Sequence, residues 1–579
     1  MASMTAPFVL LEEARGGARA LLLADPLDVL EARRPEEVRP AFDRLRAEKG
    51  HWAGFIAYEA GHALEPKLAP RAREGRPLLW FGRFAAAEEV ALADLLPDPA
   101  GAWAGVPRPR VGEAQHAAAV RRIQDHIAAG DIYQANLTFQ AEVKVAGHPL
   151  ALYAAIRRRA RAGHGGIVFT GADWLLSFSP ELFFTFAKGR LEARPMKGTA
   201  ARGADPSADR AAVEALRADP KQRAENLMIV DLLRNDLSRV AVPGSVRVPE
   251  LFAIETYPTV HQMTSTVVAE AEAGIGPVEV IEALFPCGSI TGAPKIRAME
   301  LIDGIEPEPR GIYTGSIGRL APGGEAGFNV AIRTLALRAG DNVASLGLGS
   351  GIVADSRAAD EWRECLAKGA FVNDPDRRFD LIETMRFDPH QGLPDLERHL
   401  ARLKASADAL DFRFDRHGAR NELQAATFRL RAAAKVRLLL SRSGAMAIEV
   451  GPFPAAPRQP VEVALAPLPV APEDFRLRHK TSDRAFYDEA RADAGAFETL
   501  FTDPAGFLTE GSFTHLFVDR KGMLLTPPLA RGLLPGVLRE RLIEEGRAEE
   551  ADLVPADLIN GFFVGNALRG LLSAIIRRS

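Results

Sequence analysis

Lys197 and Lys480 are the two side chains of this sequence best suited to nucleophilic chemistry. Lys197 lies in Arg194-Pro-Met-Lys-Gly-Thr199, sixteen residues after Glu181. A lysine amine attacks carbon only when neutral, so a nucleophilic lysine needs burial or neighbouring positive charge to lower its pKa. Most Lys-Gly pairs are solvated turns, and the case for Lys197 therefore depends on its surroundings. We predict Lys197 as a nucleophile with Glu181 as its neighbouring carboxylate.

Lys480 is followed, thirty residues later, by Glu510 and then by a Pro535-Gly536 turn that enters a predicted helix. Pyridoxal phosphate needs a lysine for its imine, an acid at its ring nitrogen and a helix N-terminus or arginine at its phosphate. Lys480, Glu510 and the turn could supply all three, and Arg402 could add charge at the phosphate. Each residue alone is equally compatible with a surface group or a helix cap.

Three glutamates form a candidate metal site. Glu361 and Glu364 are three residues apart, a spacing that places both carboxylates on one face of a helix, and Glu225 lies in another predicted helix. Carboxylates without imidazole or thiolate ligands suit a hard ion such as Mg²⁺. The alternative from spacing alone is a pair of solvated helix faces that carry salt bridges.

Two glycine-containing runs resemble phosphate-binding loops, but neither has the residue spacing of a known phosphate-binding motif. Gly288–Lys295 is not a Walker A loop because its lysine does not follow glycine, and Gly347–Gly351 lacks the glycine spacing of a dinucleotide fingerprint. Both runs could still offer backbone N–H groups to a substrate carboxylate. Arg333 is a natural bidentate partner for the same group.

The composition indicates a globular protein of at least two domains. The chain has 579 residues, of which 47% are hydrophobic and 26% charged, and a net charge of -4. Without a long basic stretch, nucleic-acid binding is not expected. The two cysteines exclude a disulfide framework or zinc cluster, and no apolar run reaches the length of a membrane span. We therefore expect a cytoplasmic protein that does not bind membranes.

Strand and helix patterns alternate along both halves of the chain, which predicts an α/β (α+β) fold. The polar segment from Asn373 to Arg378 marks the expected boundary between domains 1–373 and 374–579. The clearest predicted helices are 115–129, 221–237, 360–372 and 396–410, and the clearest predicted strands are 175–179, 182–186, 379–387, 461–465, 499–502 and 515–518.

The first half resembles the chorismate-utilising enzymes. The segments that carry the resemblance occur in the family's order: Gly130–Leu137, Ser179–Glu181, Pro195–Thr199, Glu225–Asp236, Gly292–Lys295, Ile332–Thr334 and Gly351–Ser356. The resemblance implies an anthranilate-synthase-like domain with two facing sheets, and chorismate as the substrate. It also implies Mg²⁺ on Glu225, Glu361 and Glu364, and a substrate pocket formed by Gln134, His261, Thr291, Gly292, Arg333, Gly349 and Gly351.

Two positions discriminate between reactions within that family. Members that add water carry a general-base lysine where this chain has Gln134, and a neutral amide cannot take a proton from water. Anthranilate-forming members usually carry alanine where this chain has Lys197. The resemblance therefore implies amination at ring carbon 4. Lys197 would add at ring carbon 2, Glu181 would act as general acid for the leaving 4-hydroxyl, and ammonia would then expel the lysine.

The second half resembles the class IV aminotransferases, which include lyases. This resemblance implies a fold-type IV domain with Lys480 as the Schiff-base lysine and Glu510 at the pyridinium nitrogen of pyridoxal phosphate. It places Arg402 and the backbone of Val537 and Leu538 at the phosphate, with Asn566 near the pocket. His515 and Leu538 depart from the residues common in the family, so the phosphate contact of Leu538 would use backbone alone.

Together the two resemblances imply successive steps to 4-aminobenzoate for folate biosynthesis: amination of chorismate to 4-amino-4-deoxychorismate, then elimination of pyruvate. The chain shows no glutaminase motif, so ammonia would come from solution or from a separate glutamine amidotransferase subunit. A homodimer through the second domain is a further expectation. The alternatives are an anthranilate-synthase-type first half, a true aminotransferase in the second half, or one half that is a non-catalytic scaffold.

Overall fold

The structure, a computed structural model, describes residues 6–12, 18–68, 76–256 and 260–577. The chain forms two compact units. The first contains the described residues up to Leu96, together with Val106–Val143 and Tyr153–Asn373. The second contains Pro97–Gly105, Lys144–Leu152 and the chain from Asp374 onward. Two short segments that precede residue 153 in sequence therefore pack with the later unit.

The elements that precede residue 374 are mostly strands. The strands are β1 (Phe8–Glu12), β2 (Arg19–Ala24), β3 (Asp28–Ala32), β4 (His51–Ile56), β5 (Leu79–Phe84), β6 (Glu88–Ala91), β7 (Trp103–Ala104), β8 (Arg108–Pro109), β9 (Gln134–Ala146), β10 (His164–Phe169), β11 (Asp173–Ser179), β12 (Leu182–Ala187), β13 (Arg190–Arg194), β14 (Met196–Ala201), β15 (Arg247–Thr256), β16 (Val260–Glu270), β17 (Gly292–Ala293), β18 (Gly315–Leu320), β19 (Ala326–Ala331), β20 (Thr334–Arg338) and β21 (Val343–Ile352). The helices are α1 (Pro35–Ala47), α2 (Ala60–Leu64), α3 (Leu92–Leu95), α4 (Glu113–Ala128), α5 (Pro149–Ala160), α6 (Pro206–Ala218), α7 (Pro220–Ser238), α8 (Pro277–Leu284), α9 (Lys295–Ile305) and α10 (Ala358–Gly369).

Strands also outnumber helices after residue 374. The strands are β22 (Leu381–Phe387), β23 (Ala434–Leu440), β24 (Met446–Pro452), β25 (Val461–Pro467), β26 (Glu498–Thr502), β27 (Leu508–Gly511), β28 (His515–Arg520), β29 (Met523–Thr526), β30 (Ala548–Glu550), β31 (Phe562–Asn566) and β32 (Gly570–Ile576). The helices are α11 (Leu396–Ala409), α12 (Arg416–Thr427), α13 (Phe475–Arg478), α14 (Ala485–Ala494) and α15 (Val537–Glu544).

Two large sheets face each other in the first unit. One has the order β17-β9-β21-β20-β11-β10-β1-β2-β6, and the other has the order β14-β16-β13-β12-β19-β18-β4-β5-β3. A buried cluster takes Val168 and Leu175 from the first sheet and Phe55 and Trp80 from the second. Because each sheet buries one apolar face against the other, the predicted pair of facing sheets is confirmed. The structure is of the predicted α/β class.

The second unit contains a three-stranded sheet, β22-β23-β24, and an eight-stranded sheet, β27-β26-β25-β32-β31-β28-β29-β30. One of its core clusters contains Trp103 together with Phe379, Phe412 and Phe475. The guanidinium of Arg442 lies 5.3 Å from the centre of the Trp103 ring. The buried Trp103 side chain is one physical reason that Pro97–Gly105 belongs to the second unit, since a buried indole stabilises the core it joins.

The helices predicted around Glu225 and Glu361 are confirmed with small differences in length. Helix α7 begins at Pro220, and the Asp219 carboxylate accepts hydrogen bonds from the first free backbone N–H groups. Helix α10 ends at Gly369, three residues before the predicted end, where glycine weakens the helix. No helix among the described residues is both long and apolar enough to cross a membrane.

Candidate active sites

The backbone of Lys197 is shaped by a bulge in β14. The pairing of β14 with β16 shifts register between Met196 and Thr199, and Gly198 within it has φ +100°. A side chain at Gly198 would be strained at this φ and would crowd Met263, so glycine is required there. Asn226 on α7 donates a hydrogen bond to the Lys197 carbonyl at 3.2 Å. The lysine is thus fixed by its own strand and by a buried helix residue.

The Lys197 amine lies among residues from distant parts of the sequence. A Cβ atom added to Gly351, near the end of β21, would lie 3.3 Å from Lys197 Nζ and 3.9 Å from Gln134 Oε1. Gln134 begins β9 and is buried. The structure therefore brings together three of the residues predicted for one pocket, and the missing side chain of Gly351 leaves the space that the amine uses.

Burial, helped by the nearby ammonium of Lys368, lowers the pKa of Lys197. The carboxylates of Glu225 and Glu181 act in the opposite direction on that pKa, but burial has the larger effect. A lysine with a lowered pKa carries a larger fraction of the neutral amine near pH 7 than an exposed lysine does. This is the property that nucleophilic attack on carbon requires.

Glu181 lies just before β12, and only 4% of its surface is exposed. Burial raises the pKa of Glu181 to about 7, although the hydroxyl of Ser289 and the charge of Lys197 both favour its ionised form. Ser289 Oγ donates to Glu181 Oε1 at 2.7 Å. Sequence reasoning missed Ser289, and its only signal was its place inside the glycine run that begins at Gly288.

Burial raises the pKa of Glu225, although the charges of Lys197 and Lys221 lower it, and the carboxylates of Glu364 and Glu361 raise it further. Their present partners are protein groups: Glu361 accepts from Ser356 Oγ at 2.7 Å, and Glu364 pairs with Lys368 at 2.7 Å. Within the described ranges, no three acidic, histidine or cysteine side chains lie close enough to hold a metal ion. The donor chemistry fits Mg²⁺, whereas the spacing in this structure does not.

The other predicted substrate contacts are partly backbone. Thr291 and Gly292 follow a short turn, and Asn136 N donates to the Thr291 carbonyl at 2.8 Å. Gly349 packs so closely on β9 that an added Cβ would lie 2.6 Å from the Leu137 carbonyl oxygen. A buried arginine, Arg310, holds this region by donating to the Ile290 carbonyl at 2.9 Å. Sequence reasoning missed Arg310.

The contacts of His261 and Arg333 described here are with residues other than Lys197. His261 is buried on β16, with Nδ1 3.0 Å from Thr256 Oγ1 and Nε2 2.9 Å from Asp209 Oδ1. Both of its ring nitrogens are thus engaged by protein. Arg333 has φ +50° between β19 and β20, and its guanidinium lies 6.0 Å from the centre of the Phe371 ring. Their contacts with a substrate stay predictions.

Lys480 lies in a cavity of the second unit with a volume of about 350 Å³. Its carbonyl accepts from Ile382 N at 2.8 Å, which ties the lysine to the start of β22. Burial, followed by the charge of Arg402, lowers the pKa of Lys480 to about 7. The cavity volume is typical of a cofactor site. The predicted residues Arg402, Val537, Leu538 and Asn566 line the same cavity.

Arg402 and the start of α15 form one end of the cavity. Arg402 donates to both carboxylate oxygens of Glu383, at 2.9 and 2.6 Å, and to the Pro535 carbonyl at 3.0 Å. The helix begins at Val537 after Gly536, where a Cβ atom would collide with the His515 ring at 2.3 Å. The free N–H groups of the helix and the guanidinium suit a phosphate group.

Glu510 is buried at the end of β27, next to the residues that line the cavity. Its carboxyl group accepts from Tyr487 Oη at 2.8 Å and from Leu534 N at 3.2 Å, and burial raises the pKa of Glu510 to about 8. A cationic ring nitrogen placed against it would favour the ionised form again. The amine, the anion-binding end and this acid therefore fit pyridoxal phosphate. Tyr487 and Glu383 are two supporting residues that sequence reasoning missed.

Comparison with known proteins matches each unit to a different family. Residues 8–374 match the model of the chorismate binding enzymes, and residues 380–575 match that of the class IV amino-transferases. The chain is 43% identical over 261 residues to aminodeoxychorismate synthase component 1 of Klebsiella aerogenes, which covers 45% of this chain and 57% of that protein. It is 37% identical over 297 residues to anthranilate synthase component 1 of Haloferax volcanii, covering 51% and 56%.

The chain thus spans little more than half the length of these relatives. Anthranilate synthase component I from Streptococcus pneumoniae superposes with a TM-score of 0.53 at 22% identity, covering 62% of this chain and 92% of that structure. This likeness concerns the fold alone. The family match covers more than half of the chain, in the unit that holds Lys197. The chain belongs to the chorismate binding enzymes and carries a class IV amino-transferase segment after that family's domain.

Proposed function

We propose that this chain is a bifunctional enzyme that makes 4-aminobenzoate. Its first unit would aminate chorismate to 4-amino-4-deoxychorismate, and its second unit would eliminate pyruvate from that product. One observation carries the proposal: each unit holds a partly buried lysine with a lowered pKa near a buried glutamate with a raised pKa. Groups whose pKa values are moved toward the working pH are suited to proton transfer near neutral pH.

In the first unit, Lys197 would bond to ring carbon 2 of chorismate while the bond between carbon 4 and its hydroxyl breaks. The electron pair of that bond would go to oxygen, and Glu181 would supply the proton that converts the hydroxyl into water. A pKa of about 7 leaves a substantial protonated fraction of Glu181 for this step. Ammonia would then add at carbon 4 and expel Lys197, which regenerates the amine.

We also propose that Mg²⁺ binds Glu225, Glu361 and Glu364 with the substrate carboxylate, as in the family that the first unit resembles. Glu364 would have to leave its ion pair with Lys368 to join such a site. The carboxylates of Glu361 and Glu364 raise the pKa of Glu225, which supports the proposal because a dication would relieve this repulsion. The ion would supply charge for binding the substrate carboxylate, whereas the bond-making and proton-transfer steps belong to Lys197 and Glu181.

In the second unit, bound pyridoxal phosphate would supply the electron sink for the elimination. Arg402 and the N-terminus of α15 would hold its phosphate, and Glu510 would face its ring nitrogen. Lys480 would remove the proton from ring carbon 4 of the substrate. The ring would become aromatic as the bond between ring carbon 3 and the ether oxygen breaks, and the enolpyruvate that leaves would take up a proton to give pyruvate. With a pKa of about 7, its amine is available as a base near neutral pH.

Two other functions compete with this proposal. The Haloferax relative favours anthranilate synthesis in the first unit, but members with that activity usually have alanine at the position of Lys197. A class IV segment also suits amino transfer, which needs a keto-acid acceptor, whereas elimination does not. Ammonia would come from a separate glutamine amidotransferase subunit, and a homodimer through the second unit is part of the proposal.

The test is incubation of the protein with chorismate, Mg²⁺, pyridoxal phosphate and an ammonium salt, followed by identification of the products. We expect 4-aminobenzoate and pyruvate in equal amounts without a keto acid. Lys197→Ala should form no product from chorismate yet still convert added 4-amino-4-deoxychorismate. Lys480→Ala should accumulate that intermediate. Formation of anthranilate, or turnover of chorismate by Lys197→Ala, would contradict the proposal.

A further inference from the structure

A buried chain of three side chains ends on Glu181. The Cys287 thiol lies 3.2 Å from Ser289 Oγ, and Ser289 Oγ lies 2.7 Å from Glu181 Oε1. All three residues are at most 5% exposed. The proposed function gives Glu181 a proton to transfer, but it does not say which carboxyl oxygen carries that proton. The hydrogen bonds among Cys287, Ser289 and Glu181 indicate which of the two oxygens it is.

The direction of the chain follows from the chemistry of its members. Burial raises the pKa of Cys287 to about 12, so its sulfur stays a thiol and can act only as a weak donor or acceptor. A serine hydroxyl has one proton to donate. If Ser289 donates that proton to Glu181, its oxygen is free to accept from the Cys287 S–H, and every proton in the chain points toward the carboxyl group.

The backbone of Glu181 is held independently of this chain. Glu181 N donates to Ser179 Oγ at 3.2 Å, and Val330 N donates to the Glu181 carbonyl at 3.1 Å. Removal of the Ser289 hydroxyl would therefore leave the main chain in place and affect mainly the carboxyl group. This separation allows the role of the hydroxyl to be tested apart from folding.

We propose that Ser289 is a positioning residue that occupies Oε1 of Glu181 and so favours Oε2 as the oxygen that carries and delivers the proton, with Cys287 fixing the rotation of the Ser289 hydroxyl. The backbone N–H of Met196 and the charge of Lys197 act on the same carboxyl group and favour its ionised form. The inference rests on the proposed role of Glu181 as general acid. As Oε2 gives up its proton to the leaving hydroxyl, water forms and Glu181 becomes a carboxylate. The hydrogen bond from Ser289 strengthens as this charge develops, so it stabilises the transition state more than the ground state.

The experiment measures the pH dependence of chorismate consumption by the full-length protein with saturating ammonium. The limb of interest is the one near pH 7 on which activity falls as Glu181 loses its proton. In Ser289→Ala, this limb should move to a pH about one unit higher, because a donor to the carboxylate is lost. The kcat should fall about tenfold, and KM should change less than about twofold. Cys287→Ala should shift the limb in the same direction by a few tenths, and Cys287→Ser should restore it.

Ser316→Ala is a matched control, because Ser316 is also buried and donates to a backbone carbonyl, that of Asn329, at 2.5 Å. It should lose stability as Ser289→Ala does and keep an unshifted profile. An unshifted limb in both Ser289→Ala and Cys287→Ala, with Glu181→Ala inactive, would overturn the role of Ser289 alone. An active Glu181→Ala would overturn the general acid as well, so the two failures are distinguishable.

Discussion

Replacement of Lys480 with methionine should stabilise the second unit of the cofactor-free protein. Methionine is unbranched and similar in length to lysine, but it has no amine to protonate. Burial lowers the pKa of Lys480 from 10.5 to about 7, so between these values the unfolded chain binds a proton that the folded chain does not. The free energy of unfolding must then rise with pH across this window. Below pH 7 the destabilisation by the buried amine has its full value.

The magnitude follows from the difference between the two pKa values, at about 1.4 kcal/mol for each tenfold change. The buried amine should cost about 4 kcal/mol at pH 7, about 2 kcal/mol at pH 9 and about 1 kcal/mol at pH 10. These values are upper limits, because part of the Lys480 surface is accessible from the cavity that it lines. For a unit of this size, the gain at pH 7 corresponds to a melting temperature up to roughly 8–16 °C higher.

Scanning calorimetry of the cofactor-free protein at pH 7, 9 and 10 would measure this gain. The transition of the second unit is the one that pyridoxal phosphate raises in the unsubstituted protein. Lys435→Met is the matched control, since Lys435 lines the same cavity but its side chain is exposed. We expect no stabilisation in that variant. A gain for Lys480→Met that is equal at pH 7 and pH 10, or a loss at pH 7, would refute the reasoning.

Three more outcomes are expected. Gly351→Ala should slow amination on the order of 10- to 100-fold without affecting elimination, because its Cβ would lie 3.3 Å from Lys197 Nζ; product analysis with each substrate would check this. Chelation by EDTA should abolish amination and spare elimination, with recovery on added Mg²⁺; undiminished amination would remove the metal from the proposal. Arg402→Lys should weaken pyridoxal phosphate binding about tenfold, since lysine cannot form the paired hydrogen bonds to Glu383 that hold the side chain in place. Spectroscopic titration with the cofactor would measure this, and unchanged binding would exclude Arg402 as a phosphate anchor.

The sequence predicted elements well where one physical signal dominates. The spacing of apolar residues predicted α7 to within one residue at each end, and alternation predicted β11 and β12. It could not predict that a glycine on β21 leaves space for the Lys197 amine, because that distance depends on how separate strands pair. Ser289 was missed for the same reason: 108 residues separate it from Glu181, and a serine beside glycine is common in turns.

The place of Trp103 in the second core has a consequence for protein synthesis. Trp103 is 5% exposed and shares its core cluster with Phe475, a residue translated about 370 positions later. At roughly 5–20 residues per second, the ribosome needs about 20–70 seconds to deliver that partner. During this interval a large aromatic surface near the start of the chain waits in water, where a chaperone or an aggregate can capture it. The growing polypeptide is therefore vulnerable while Trp103 awaits the later residues of its core.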